Sequence, residues 1–146
     1  MKINEDILFN FEAFKRSQKS VFADYAKYNY IAHMESSACF VTPNEKKLSD
    51  ACVVNEYIYE QLKNTELKDI AIERYLRSLS SYYRFCTNRK KEECPHIAAA
   101  IKNVAQGADS LGKNMRITVG FIRYCPLLYR IIYAVYNKVR KPNWEV

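Results

Sequence analysis

One stretch limits what this chain can fold into more than any other. From Leu127 to Arg140 it reads Leu-Leu-Tyr-Arg-Ile-Ile-Tyr-Ala-Val-Tyr-Asn-Lys-Val-Arg. At about 100° per residue, Leu128, Ile131, Ile132, Val135 and Val139 fall on one broad face. Tyr129, Tyr133 and Tyr136 form a second row beside it, at i, i+4 and i+7. Only Arg130 and Asn137 point clearly away from both. A helix this apolar around its circumference is expected at the centre of a bundle. Pro126 precedes it and suits the first helical position, where a missing N–H costs nothing.

The rest of the chain fits the same class. With 146 residues it matches one domain around one core, spanning 1–146. Three glycines and four prolines are too few for the turns of an all-β fold. The expectation is an all-α, compact bundle of five to seven helices with the C-terminal helix buried.

Taken in order, residues 4 to 17 read as a helix with Ile7, Leu8, Phe11 and Phe14 on one face. Glu5 and Asp6 lie in its first turn, where acids favour the helix dipole. Ser20 can cap a second helix through Val21, Phe22, Tyr25, Tyr28 and Ala32, and Ser36 to Val41 reads as a loop. Thr42-Pro43-Asn44-Glu45 is a helix start, with Thr42 as cap and Glu45 closing a capping box. The helix then places Leu48, Ala51, Cys52, Asn55, Ile58, Tyr59 and Leu62 together. Thr65 is expected to cap Glu66 to Cys86, with Leu67, Ala71, Tyr75, Ser78, Leu79, Tyr82 and Cys86 inward and Arg74, Arg77 and Arg84 opposite. Thr87 to Cys94 reads as a polar loop. Pro95 opens a helix to Gln106, and Gly107 to Asn114 turns. For Met115 to Tyr124 the β-branched Ile117-Thr118-Val119 argues strand, but the helical neighbourhood decides for helix.

Charge is segregated. Residues 1–73 hold 9 Lys and Arg against 12 Asp and Glu, and residues 74–146 hold 14 against 4, for an overall +7. A basic half of this kind attracts a polyanion or an acidic protein surface. Ile117 to Tyr136 is apolar enough to raise a membrane span, but Arg123, Pro126 and Arg130 interrupt it. Each central Arg costs about 2.5–3.5 kcal/mol. A span is therefore excluded, while association with a membrane surface stays open. The N-terminus lacks a secretory signal and the five cysteines form no CxxC pair, so the expectation is an intracellular protein, cytoplasmic or nuclear.

Three constellations bear on chemistry. The first joins cations and aromatics: Arg74, Arg77, Arg84, Arg89, Lys90, Lys91, Arg140 and Lys141, with Tyr82-Tyr83 and the C-terminal Tyr row. Cations neutralise phosphates, and exposed rings stack on unpaired bases. The same rings would otherwise edge the core. The second is Cys86, Cys94 and His96, with His33 and Cys39 as further donors, a thiolate–imidazole set of the kind that holds zinc. The third is Arg89 and His96, with six residues between them. This pair resembles the Arg-x4–6-His signature of the HEPN ribonucleases, small all-α domains that cut RNA, usually as dimers. The resemblance covers eight residues and implies that His96 moves a proton while Arg89 holds phosphate; Pro95 departs from a helix-borne pair. No GxSxG, phosphate loop or HExxH is present, and no cofactor is implied. The chain thus reads first as a non-enzymatic binding protein for RNA or single-stranded DNA. A regulator of an acidic protein partner comes second, and a HEPN-like ribonuclease third.

Overall fold

The computed structural model of the protein describes residues 5–21, 45–90 and 94–139, with backbone alone at 89–90 and 137–139. Among the described residues the only regular structure is helical, with no strand, and they form a compact bundle of six α-helices. These are α1 (Glu5–Arg16), α2 (Glu45–Leu62), α3 (Lys68–Phe85), α4 (Pro95–Gln106), α5 (Lys113–Tyr124) and α6 (Pro126–Val139). Met115–Tyr124 is helical, as the neighbourhood required. The expected helix from Ser20, the Ser36–Val41 loop and the Thr42 cap lie outside the described residues.

The organising element is α3. It packs against α2 on one side and against α4 and α5 on another. Contact on several sides widens its buried arc beyond one stripe. Ile72 and Leu76 are fully buried, and Ala71, Tyr75, Leu79, Ser80 and Tyr83 are buried with them. Periodicity alone placed Leu67 on that face, yet Leu67 is exposed, whereas Ile72, Leu76 and Tyr83 are inside. One hydrophobic cluster joins α3 to Cys52 of α2, Ile97 and Ile101 of α4, Met115, Val119 and Ile122 of α5, and Tyr129 of α6.

Local signals act much as their chemistry dictates. α1 carries Glu5 and Asp6 in its first turn and Lys15 and Arg16 in its last, each favourable to the dipole. It lies on α2 through an edge-on contact of Phe11 with Tyr57 and through Tyr57 Oη donating to Glu12 Oε1 at 2.7 Å. Pro95 and Pro126 occupy the first positions of α4 and α6. Thr65 works differently from expectation. Its hydroxyl donates to the Leu62 carbonyl at 2.8 Å and accepts the Leu67 N–H at 3.2 Å. It ties the turn between helices, and α3 begins two residues later than expected, with Leu67 at the cap position and no side-chain cap. The polar stretch after α3 is not a plain loop either. Cys86–Lys90 continues as a π-helical turn, and Thr87 is buried, its hydroxyl bonded to the Tyr83 carbonyl at 2.9 Å.

Two carboxylates of α3 fix the connection between α4 and α5. Asp69 Oδ1 accepts the Asp109 N–H at 3.0 Å, and Oδ2 accepts the Ser110 N–H at 2.8 Å. Glu73 Oε2 accepts the Gly112 N–H at 3.4 Å. A Cβ at position 112 would stand 3.0 Å from that same oxygen, so the close approach of α3 favours glycine there.

The main correction concerns α6. Its centre was expected to be core, but among its described residues only Tyr129 is buried. Leu127, Leu128, Ile131, Ile132 and Val135 are between 46% and 71% exposed. The tyrosine row turns inward only at its start: Tyr129 is buried and Tyr133 half-buried, while Tyr136 is 45% exposed, and a ring removes more apolar area per residue than an aliphatic side chain. Replacing the fully buried Leu76 by Ala should therefore cost about 2–5 kcal/mol, while Ile131→Ala should stay within about 0.5 kcal/mol. Urea unfolding of the two variants separates the cases, and a large loss at Ile131 would restore α6 to the core.

Candidate functional site

Of the basic residues singled out from the sequence, Arg74, Arg77 and Arg84 each have their own local partners among the described positions. Arg74 is exposed on α3, and its Nε donates to Asn55 Oδ1 of α2 at 2.8 Å. It borders a cleft of about 360 Å³ between α1, α2 and α3. Arg77 is paired with Glu73 at 2.6 Å. That pairing holds the Glu73 carboxyl below its ordinary value, through the Arg77 hydrogen bond first and with help from the Gly112 N–H. Arg84 is half-buried. Its guanidinium lies 4.7 Å from the centre of the Tyr133 ring and donates to Ser81 Oγ at 2.9 Å. Arg89 and Lys90 lie on the π turn, which packs against α6. Lys91, Arg140 and Lys141 lie outside the described residues.

The tyrosines explain the placement of Arg84. Tyr83 of α3, then Tyr129, Tyr133 and Tyr136 of α6, stand in a column with centroid spacings of 6.3, 6.3 and 6.0 Å. Burial raises the Tyr129 phenol above its ordinary pKa, partly offset by the nearby Arg84 cation. Arg84 meets this column at Tyr133 as a cation against a ring. It is a seam residue between α3 and α6.

The thiol and imidazole candidates separate. Cys86 and Cys94 are buried in the hydrophobic cluster, whereas His96 is exposed on the first turn of α4. Among the described residues no group of three or more His, Cys, Asp or Glu side chains is gathered as for a metal ion. His33 and Cys39 lie outside the described residues. Arg89 sits on the π turn and His96 on α4, so the two are not carried by one helix as a HEPN pair would be.

Two features were not assigned from the sequence. One is the exposed aliphatic face of α6, whose five side chains span an arc of about 140° on the helix. Tyr124, 71% exposed at the end of α5, extends it across the α5–α6 junction. The row itself was plain in the sequence; only its direction was missed. The other is a small cleft of about 200 Å³ between α4 and α5, lined by Lys102, Arg116 and Arg123 over Ala105, Leu111 and Val119, with Gln106 beside them. A signal for both existed: residues 110–144 contain seven Lys and Arg and no Asp or Glu.

Among the described residues no helix is long and apolar enough to cross a membrane. Thiol chemistry reports the burial pattern directly. Burial pushes the Cys52 thiol up to about 11, and a protonated buried thiol is inert. Cys125 is exposed between α5 and α6. Iodoacetamide at neutral pH should label Cys125 at least about tenfold faster than Cys52, Cys86 or Cys94, as read residue by residue in peptide mass spectra. Fast labelling of Cys94 would contradict its burial. No protein-family model, curated protein or solved structure matches the chain.

Proposed function

We propose that this protein is a non-enzymatic binding protein whose α5–α6 region attaches reversibly to an anionic lipid surface, with α6 lying in the plane of the headgroups. The observation that carries this reading is the exposed aliphatic face of α6 within a stretch free of acidic residues. A helix with Leu, Ile and Val on one side and cations beside them partitions into the interface without crossing it. Arg123 and Arg130 stand on that helix or directly before it, and Lys138, Arg140 and Lys141 follow in the sequence.

Magnitudes support the reading. Burying a Leu, Ile or Val side chain fully is worth about 1.5–3 kcal/mol. About half of each is still available on α6, so five side chains supply about 5 kcal/mol. Each cation near an anionic leaflet adds about 1 kcal/mol. Neither contribution alone gives firm attachment, but an apolar insertion combined with a basic patch does. A nucleic acid would leave the five aliphatic side chains uncovered, and Tyr129 and Tyr133, which would have to stack on bases, are taken up by the column.

A second reading, contact with RNA or single-stranded DNA, is favoured by one observation. Arg77, Ser81 and Arg84 share one face of α3, which leads into the π turn bearing Arg89 and Lys90. Those cations could follow a phosphate backbone.

Co-sedimentation with vesicles decides between them. The expected outcome is binding to phosphatidylglycerol–phosphatidylcholine vesicles, little binding to phosphatidylcholine alone, and weakening as salt rises. Leu128→Ser with Ile131→Ser should weaken binding about tenfold or more without loss of helicity, since both side chains are exposed. Vesicles left unbound, with salt-steep binding to fluorescent single-stranded RNA, would replace this reading by the second.

A further inference from the structure

We infer that the cleft between α4 and α5, lined by Lys102, Arg116 and Arg123, is a binding site for a phosphate group. The inference stands on the charges of the cleft itself and goes beyond attachment through α6.

Arg116 and Arg123 are seven residues apart on α5, which brings them to the same side of the helix with about 10 Å between their positions along the axis. Lys102 approaches from α4. The three cations line one concavity, and its lining contains no carboxylate. None of the three has a carboxylate partner among the described ion pairs. The acids of the adjoining elements are committed elsewhere. Asp109 Oδ2 takes Lys68 at 2.8 Å, Asp69 takes two backbone N–H groups, and Glu73 takes Arg77 and the Gly112 N–H. α4 contains no acidic residue. Like charges gathered over apolar walls repel one another and focus a positive potential into the cleft. An anion relieves that repulsion.

The two guanidinium groups are also positioned. Arg116 Nη2 donates to the Leu111 carbonyl at 3.3 Å, which leaves its other donors available. The Arg123 guanidinium lies 4.9 Å from the centre of the Tyr124 ring. Stacking of this kind holds the planar fork while its edge keeps its donors. The N–H of Arg116 is bonded to the Gly112 carbonyl at 3.0 Å, so the latch from Asp69 and Glu73 to the preceding connection sets where α5 begins. Two forks and an ammonium suit a tetrahedral oxyanion of charge −1 to −2, which accepts charge-assisted, bidentate hydrogen bonds. Gln106 adds a neutral amide donor at the rim. The ligand class is a phosphate monoester or diester, either soluble or presented as a lipid headgroup.

The test is an NMR titration of the full chain with inorganic phosphate at fixed ionic strength, with chloride as the control anion. Saturable shifts confined to Lys102, Gln106, Arg116, Arg123 and their neighbours are expected. The double variant Arg116→Gln, Arg123→Gln should bind about tenfold or more weakly, and Lys63→Gln, outside the cleft lining and paired with Glu60, should bind as the parent does. Both arginines are exposed, so the double variant should keep its helical circular dichroism. Shifts reproduced by chloride, or a double variant that binds phosphate like the parent, would overturn the site. Phosphatidylglycerol vesicles then distinguish the two sources. If the double variant loses vesicle binding as well as phosphate, the headgroup is the ligand; if it loses phosphate alone, the ligand is soluble. Phosphate binding that persists while the parent ignores vesicles would remove the lipid-surface reading and leave this site in place.

Discussion

Every described element after α2 depends on the burial of α3. Ile72 and Leu76 are sealed from solvent because α2 covers one side of that helix while α4 and α5 cover another. Apolar area removed from water in this way is the dominant favourable term in folding. It also determines where polar groups can go. Arg74 and Arg77 keep to the remaining strip of α3, and Asp69 and Glu73 border the α5 side, where their carboxylates meet backbone N–H groups of the 107–112 connection. One helix therefore supplies both the apolar centre and the polar latch that positions its neighbours.

The class of fold was legible because its signals are local and redundant. Pro95 and Pro126 mark helix starts through a missing N–H, and Glu5 and Asp6 mark one through charge. Such cues act within a turn and survive any tertiary arrangement. Directions were harder. The sequence shows that Leu128, Ile131, Ile132 and Val135 share a face and that Tyr129, Tyr133 and Tyr136 share another, but periodicity does not say which one meets the bundle. The answer depends on Tyr83 and Arg84, more than forty residues earlier, which offer a ring and a cation for a tyrosine column to join. The buried arc of α3 was misread for the same reason, since its width follows from how many neighbours it has. Of the candidate site, the excess of positive charge was plain, but its partition was not. Whether Arg77 or Arg116 is neutralised depends on where Glu73 points.

Segregation of charge gives the molecule two chemically different ends. Around α1–α3, four exposed cations are answered by acids or amides: Arg16 by Glu12, Lys63 by Glu60, Arg77 by Glu73 and Arg74 by Asn55. Around α4–α6 the cations of the α4–α5 cleft have no such partners, and the nearby apolar face is uncovered. Exposed ion pairs contribute little to stability, about 0–1 kcal/mol, so withholding them from one end sacrifices little. What it changes is the field presented to an approaching anion.

The joint between α5 and α6 has a mechanical consequence. A single residue, Cys125, separates the two helices; its N–H bonds to the Phe121 carbonyl at 2.9 Å, and its own carbonyl accepts the Tyr129 N–H at 3.0 Å. Pro126 disfavours the helical region for the residue before it, and Cys125 sits at φ −139° and ψ 59°. The bend between the helices is thus imposed by covalent geometry. With a length of about 21 Å, α6 acts as a lever whose far end would travel about 4 Å for every 10° of rotation at the joint. Stiffness concentrated at one proline therefore sets the attitude of the whole aliphatic face.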